Sequence, residues 1–158
     1  MHLPGKLLLA ALLALAFAAP QAAFAQSSPG TISGPEALRI LRDLDLSPEL
    51  GRDSAGDPRI VFQMDGLHAR MNFFDCRQSR CRSLQLETAL DLTPGSSFQF
   101  ANEYNRKYRY GRIYLDEEMD PYLQFDFELP MARVEEYIIS QLETFELLLG
   151  HLTSEFDF

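Results

Sequence analysis

Hydrophobic residues recur along this chain with two different periods, and the two periods predict helices and strands in a definite order. Three segments have apolar residues every three or four positions, which indicates amphipathic helices. The first begins at Ser33, which is spaced from Glu36 as in a capping box. The second opens at Thr93-Pro94, and the third covers residues 131–149 with Gly150 as its C-terminal stop. The three apolar faces consist of Ala37, Leu38, Leu41 and Leu44; Phe98, Ala101, Tyr104 and Tyr108; and Val134, Ile138, Leu142, Phe145 and Leu149.

Between these helices apolar and polar residues alternate, which is the pattern of antiparallel strands with one buried face. Five segments show it: 59–62, 67–74, 84–91, 112–116 and 122–129. The residues 47–58 are expected only to end the first helix, and Gly111 to end the second. The predicted order is therefore α-β-β-β-α-β-β-α. We expect an α+β fold, with an antiparallel five-stranded sheet and helices packed on it.

The N-terminal 25 residues have the three parts of a secretory signal peptide, namely Lys6, an apolar run and the small-residue site Ala23-Phe24-Ala25. The apolar run has about 13 residues, whereas a membrane-spanning helix needs roughly 20. We therefore expect cleavage after Ala25, a periplasmic or secreted protein, and no stable membrane insertion afterwards. In the remaining chain the sequence predicts a disordered tether over 26–32, one domain over 33–151 and a flexible tail over 152–158.

The charge of the chain narrows the range of its partners. Removing residues 1–25 takes away one basic residue, Lys6, and no acidic one, so the formal net charge falls from −9 to −10. Nucleic acid and anionic lipid are poor partners for such a surface. Acidity of this kind favours solubility and fits a cationic partner or a metal ion.

Two cysteines five positions apart, Cys76 and Cys81, flank a predicted four-residue loop over 77–80. In an oxidising compartment, cysteines at facing positions of neighbouring strands are expected to form a disulfide that fixes the hairpin register. Two alternatives remain open. A redox site would favour a Cys-x-x-Cys element at a helix start. A zinc site would need four ligands, of which His68 is one further candidate. The arginines around the loop, which are candidates for binding a partner, are Arg77, Arg80 and Arg82.

Two tracts of the chain together resemble the YbjN family, which is described as bacterial sensory transduction regulators. They are residues 73–86, which include both cysteines, and residues 102–129, which contain the run from Asn105 to Glu118. The resemblance covers most of 35–150. It implies a fold like that of the type III secretion chaperones, which are small α+β proteins, often dimeric, that bind other polypeptides. It implies a polypeptide partner, leaves a homodimer open, and supplies no catalytic residue and no cofactor.

The tract 105–115 mixes basic residues with tyrosines, which elsewhere would suit stacking on nucleic acid. Export and acidity instead favour an interface role, with Tyr104, Tyr108 and Tyr110 as candidate partner-binding residues. We therefore expect an exported, non-enzymatic polypeptide-binding or regulatory adaptor without a metal or cofactor.

The alternative is a small metal-binding protein or hydrolase. It would use His68 with Asp75 or Ser83, or the carboxylates of 116–120, which are Asp116, Glu117, Glu118 and Asp120. The sequence contains neither a Gly-x-Ser-x-Gly elbow nor a His-Glu-x-x-His helix, so it offers no established catalytic motif for this alternative.

Overall fold

The computed structural model describes residues 30–156, which fold into one antiparallel sheet and three helices. The elements are β1 (Ile32–Ser33), α1 (Gly34–Asp43), β2 (Glu49–Arg52), β3 (Pro58–Met64), β4 (Leu67–Arg77), β5 (Arg80–Ala89), α2 (Phe98–Lys107), β6 (Gly111–Leu115), β7 (Pro121–Glu128) and α3 (Val134–Ser154). The strands lie in the order β2-β3-β4-β5-β7-β6, and β1 pairs with the first residues of β5.

The α+β class and the antiparallel sheet are as predicted, but the sheet has seven strands rather than five. All five predicted strands are present as β3 to β7. The two additional strands lack the pattern on which a prediction depends, because all four residues of β2 are exposed and β1 has only two residues. The observed order is therefore β-α-β-β-β-β-α-β-β-α.

The three helices pack on one face of the sheet, and no helix of residues 30–156 covers its other face, which we call the open face. Alternate residues of the central strands point into the core, as the period of two requires. The core positions on the sheet include Ile60, Phe62, Ala69, Met71, Phe73, Leu84, Leu86, Leu123, Phe125 and Phe127. The strand residues between them are mostly polar and form the open face. No helix within residues 30–156 is long and apolar enough to span a membrane.

Helix α2 begins later than predicted. Thr93-Pro94 has a cis peptide bond and precedes the helix, while Ser97 is the N-cap and its Oγ accepts the Phe100 N–H at 3.1 Å. The helix ends at Lys107, and Gly111 begins β6 instead of ending α2. Phe98, which was expected on the apolar face, is exposed in the first turn.

Helix α3 continues past the predicted stop, and Gly150 lies inside it. A glycine inside a helix costs about 1 kcal/mol relative to alanine. Burial of Leu148, Leu149 and Leu152 on either side of Gly150 offsets this cost. The predicted flexible tail over 152–158 is therefore wrong at Leu152, which is a core residue. Residues 157–158 lie outside the described part.

At the N-terminal side, the predicted signal peptide over 1–25 and the first tether residues over 26–29 lie outside the described part. The tether prediction is wrong at Ile32, which is buried and pairs with Cys81 across β1 and β5. The capping box of Ser33 and Glu36 is confirmed, and it begins α1 directly after β1.

Candidate functional site

The hairpin of β4 and β5 extends beyond its neighbour β3, which pairs with β4 only as far as Asn72. Cys76 and Cys81 face each other near its tip and form the predicted disulfide. The loop has two residues rather than four, because Arg77 pairs with Arg80. The two turn residues, Gln78 and Ser79, both have positive φ, at 51° and 62°. A type I′ turn requires this geometry and matches the twist of the flanking strands.

Arg80 fixes this hairpin to the start of α1. Its Nη1 lies 2.9 Å from Oε2 of Glu36 and donates to Oε1 at 3.1 Å. Its Nε and Nη2 donate to the hydroxyl and carbonyl oxygens of Thr31, each at 3.0 Å. Arg80 is therefore an internal anchor rather than the partner-binding residue that the sequence suggested. Arg77 and Arg82 are exposed, and Arg82 lies 3.9 Å from Asp75.

A cleft of about 590 Å³ lies between the hairpin tip, the start of α1 and the edge strand β2. It is lined by Gly34, Pro35, Leu50, Gly51, Arg52, Pro58 and Ser79. Gly34 brings α1 close to β2 and β3, because a Cβ at this position would lie 2.9 Å from Cδ1 of Leu50 and 3.0 Å from Cβ of Pro58. Leu50 remains 40% exposed although it lies on the helix side of the sheet. The cleft therefore offers apolar surface beside one cation, Arg52.

The two edges of the sheet differ in the availability of their peptide groups. At the β6 edge, the side-chain amide of Asn105 accepts the Ile113 N–H at 2.7 Å and donates to the Ile113 carbonyl at 3.0 Å. This side chain occupies the position that a further strand would take.

At the β2 edge, the Asp53 N–H donates to the Asp57 carbonyl across the turn into β3. Because peptide groups alternate in direction along a strand, those of Leu50 and Arg52 point away from β3. Within residues 30–156, no strand pairs with that outer side. The β2 edge is therefore the available edge of the sheet, and it borders the cleft.

The open face of the sheet carries a polar network whose members bind one another. Glu87 is only 7% exposed, and its carboxylate lies 2.7 Å from Nη2 of Arg70 and accepts from Nε2 of Gln124 at 2.5 Å. Gln85 is also buried and donates to Asp126 at 2.8 Å. The members of the network are Arg70, Asn72, Gln85, Glu87, Arg112, Gln124 and Asp126. The hydrogen bonds and ion pairs among these residues explain why Gln85 and Glu87 are buried on the open face.

The residues of the hydrolase alternative do not come together. His68 and Asp75 lie seven positions apart on β4, and Ser83 faces Phe74 near the far end of that strand. At about 3.3 Å per residue, His68 lies roughly 20 Å from both. The same separation excludes His68 as a ligand shared with the cysteine pair.

The carboxylates of the β6–β7 turn bind backbone groups. Oδ1 of Asp116 accepts the N–H groups of Glu118 and Asp120, and Oδ1 of Asp120 accepts the Leu92 N–H at 2.8 Å. In the described part of the chain, no group of three or more histidine, cysteine or acidic side chains is arranged to hold a metal ion. The turn is thus held by Asx-type hydrogen bonds.

The three candidate tyrosines do not form one surface. Tyr104 is 2% exposed and its hydroxyl donates to the Leu148 carbonyl at 2.7 Å, so it is a core residue and not a partner-binding one. Burial raises the pKa of the Tyr104 hydroxyl. Tyr108 is half-buried and stacks on His151, with ring centres 4.3 Å apart. Tyr110 alone is well exposed, beside Arg109.

The contact between Glu36 and Arg80 gives a prediction for the dependence of stability on pH. Burial would raise the pKa of Glu36, but hydrogen bonds from the Ser33 backbone, Arg80 and the Ser33 hydroxyl outweigh it, so the pKa is lowered. A lowered pKa in the folded state stabilises the protein above the unfolded pKa, and this stability is lost as the pH falls through the folded value. We expect Glu36→Ala to lower the free energy of unfolding by about 1 kcal/mol at pH 7.

Urea unfolding of the wild type and Glu36→Ala between pH 7 and pH 3 tests this prediction. The difference between the two proteins should shrink towards pH 3. The control is Glu128→Ala, which removes an exposed glutamate from β7 and should change stability by less than about 0.5 kcal/mol. A difference for Glu36→Ala that grows on acidification would contradict the assignment.

A family model for YbjN, described as "Putative bacterial sensory transduction regulator", matches residues 38–144. Searches of curated proteins and of solved structures gave no match. The matched region begins in α1 and ends in α3, so it includes the cysteine hairpin, the sheet strands β2 to β7 and most of the cleft. It covers more than half of the 158 residues. The chain therefore belongs to the YbjN family.

Proposed function

We propose that this protein is an exported, non-enzymatic regulatory adaptor that binds an extended segment of another polypeptide at the β2 edge. The family to which the chain belongs supports a regulatory role in general terms. The observation that carries the more specific proposal is the cleft of about 590 Å³ beside the available edge of the sheet. At this edge, the outward peptide groups of Leu50 and Arg52 lie beside the apolar surface of the cleft.

The proposed binding mode is the addition of one strand to the sheet. In this mode main-chain hydrogen bonds supply affinity, and pockets for alternate side chains supply specificity. The outward peptide groups of Leu50 and Arg52 would bond the added strand. A side chain of that strand on the helix side of the sheet would enter the cleft and contact Leu50, Pro35 and Pro58. An apolar side chain fits this surface, and an acidic side chain two positions along the added strand would lie on the same face, beside Arg52.

Export is part of the proposal, and two features support it. Residues 1–25 have the composition of a signal peptide. The bonded pair Cys76 and Cys81 fits a compartment in which disulfides persist. Because cleavage of the signal peptide would remove residues 1–25, the peptide-binding experiments use the protein without them.

The proposal predicts that Leu50→Glu weakens peptide binding at least tenfold, because the substitution places a charge in the apolar part of the cleft that a side chain of the added strand would enter. Peptides would be selected on the wild type from a displayed random library, and their affinities measured by fluorescence anisotropy. The matched control is Leu147→Glu, which alters an exposed leucine on α3, far along the chain from β2. Equal affinity of the selected peptides for Leu50→Glu and the wild type would contradict the proposal.

Amide hydrogen exchange would locate the bound strand. The Leu50 and Arg52 amides should become protected when a selected peptide binds, since their N–H groups would join the new ladder. A second copy of the chain is the competing occupant of this edge, since β2 of one copy could pair with β2 of another. In that case size-exclusion chromatography would show a dimer that Leu50→Glu converts to a monomer.

A further inference from the structure

A second groove lies at the opposite end of α1 from the cleft. Its apolar floor is formed by side chains of the α1 terminus and following loop, of β3 and of α3, and its volume is about 230 Å³. The apolar lining consists of Leu44, Leu46, Met64, Ile139 and Leu142. Leu44 is among the exposed large hydrophobic residues, and Leu46 and Ile139 are only partly buried. The groove is therefore an apolar surface that the described part of the chain leaves uncovered.

Three carboxylates line the same groove: Asp65, Glu143 and Glu146. None has a basic side chain within ion-pair distance among residues 30–156. Another acid of α3 shows the contrast, because Glu135 pairs with Arg39 at 3.1 Å. The groove thus combines an apolar floor with an uncompensated negative rim.

The composition of α3 adds to the negative charge beside the groove. The helix has four glutamates and no lysine or arginine. Glu143 and Glu146 lie three residues apart on one face, where like charges repel each other. A cationic group from outside the chain would relieve this repulsion, and the net charge of −9 would attract such a group from a distance.

We propose that this groove binds a basic amphipathic helix of a partner polypeptide, through one apolar side chain in the groove and flanking lysines or arginines at the rim. An amphipathic helix in a hydrophobic groove presents anchors three or four residues apart, with its charged face beside them. The inference rests on the proposed function, since both concern polypeptide partners, but it uses a different surface. An adaptor with an extended segment at β2 and a basic helix at α3 would hold two segments at once.

A designed probe tests the proposal on the chain without residues 1–25. The probe is an 18-residue peptide of leucine and lysine, about 18 residues being long enough for a marginally stable helix, with leucine on one helical face. A peptide with the same composition in scrambled order is the first control. We expect the amphipathic peptide to bind at least fivefold more tightly than the scrambled one. Its affinity should fall as salt rises, because the rim charges are exposed and screened.

Two variants with the same change in net charge separate the groove from general acidity. Glu143→Gln with Glu146→Gln should weaken binding at least fivefold and reduce the salt dependence. Glu117→Gln with Glu118→Gln neutralises two exposed acids in the β6–β7 turn and should leave the affinity unchanged. Methyl NMR signals of Ile139 and Met64 should shift on binding in the wild type. The proposal is overturned if both double variants lose affinity equally, or if these methyl signals do not move.

The Leu50→Glu variant distinguishes failure of this inference from failure of the proposed function. It should lose the peptides selected at the cleft but keep the wild-type affinity for the basic helix. Glu143→Gln with Glu146→Gln should behave in the reverse way. Loss of both ligands in the Leu50→Glu variant would mean that the groove is not an independent site, which overturns the inference.

Discussion

Replacing Phe145 by alanine is expected to lower the free energy of unfolding by about 3–5 kcal/mol. Phe145 has no exposed surface and belongs to the core between α3 and the sheet. Truncation at such a position removes the transfer free energy of the ring and leaves a cavity that a close-packed core closes only in part.

Leu147 provides the matched control, since it lies two positions away on the same helix and is 68% exposed. Leu147→Ala should change the free energy of unfolding by less than about 0.5 kcal/mol. Urea unfolding followed by circular dichroism measures both variants. Similar losses for the two would mean that α3 presents a different face to the sheet.

The core face of α3 could be predicted because five positions share one helical period. Ile138, Leu142, Phe145 and Leu149 are buried, as the pattern indicated. The end of the helix could not be predicted, because Gly150 is a local stop signal that burial of its neighbours outweighs. A rule that considers only residues close in sequence does not include packing between distant parts of the chain.

The sheet shows the same division between periodic and aperiodic segments. In the strands with a buried face, apolar and polar residues alternate, and this pattern predicts them. In contrast, β2 is exposed at every position and follows no such period. This strand borders the cleft, so the element that matters most for the proposed site is the one with the weakest pattern. Its signal in the sequence, a four-residue stretch between two turns, does not distinguish a strand from a loop.

The candidate surfaces themselves depend on contacts between distant parts of the chain. The cleft joins residues of α1, β2, β3 and the hairpin turn, and the groove joins residues near 44 with residues near 142. The cysteine pair was predictable because its members are close in sequence and face each other. The role of Arg80 was missed because its partners, Thr31 and Glu36, lie more than forty positions away.

Exchanging both Cys76 and Cys81 for serine is expected to lower the free energy of unfolding by about 2 kcal/mol at most. The disulfide closes a short loop, so its removal adds little freedom to the unfolded chain. In the folded state, Arg80 still holds the hairpin to Glu36, and β1 still pairs with β5. The loss should therefore affect stability without abolishing the fold.

Urea unfolding of the wild type with and without reductant, beside the double serine variant, measures the contribution of the bond. Reductant should shift the unfolding midpoint of the wild type towards that of the variant, and should leave the variant unchanged. If complete reduction did not change the unfolding midpoint of the wild type, the bond would contribute nothing to stability. Ser79 of this hairpin lines the cleft, so loss of the disulfide should also lower the affinity for the peptides selected at β2. The affinity of the α3 groove for the basic helix should stay unchanged.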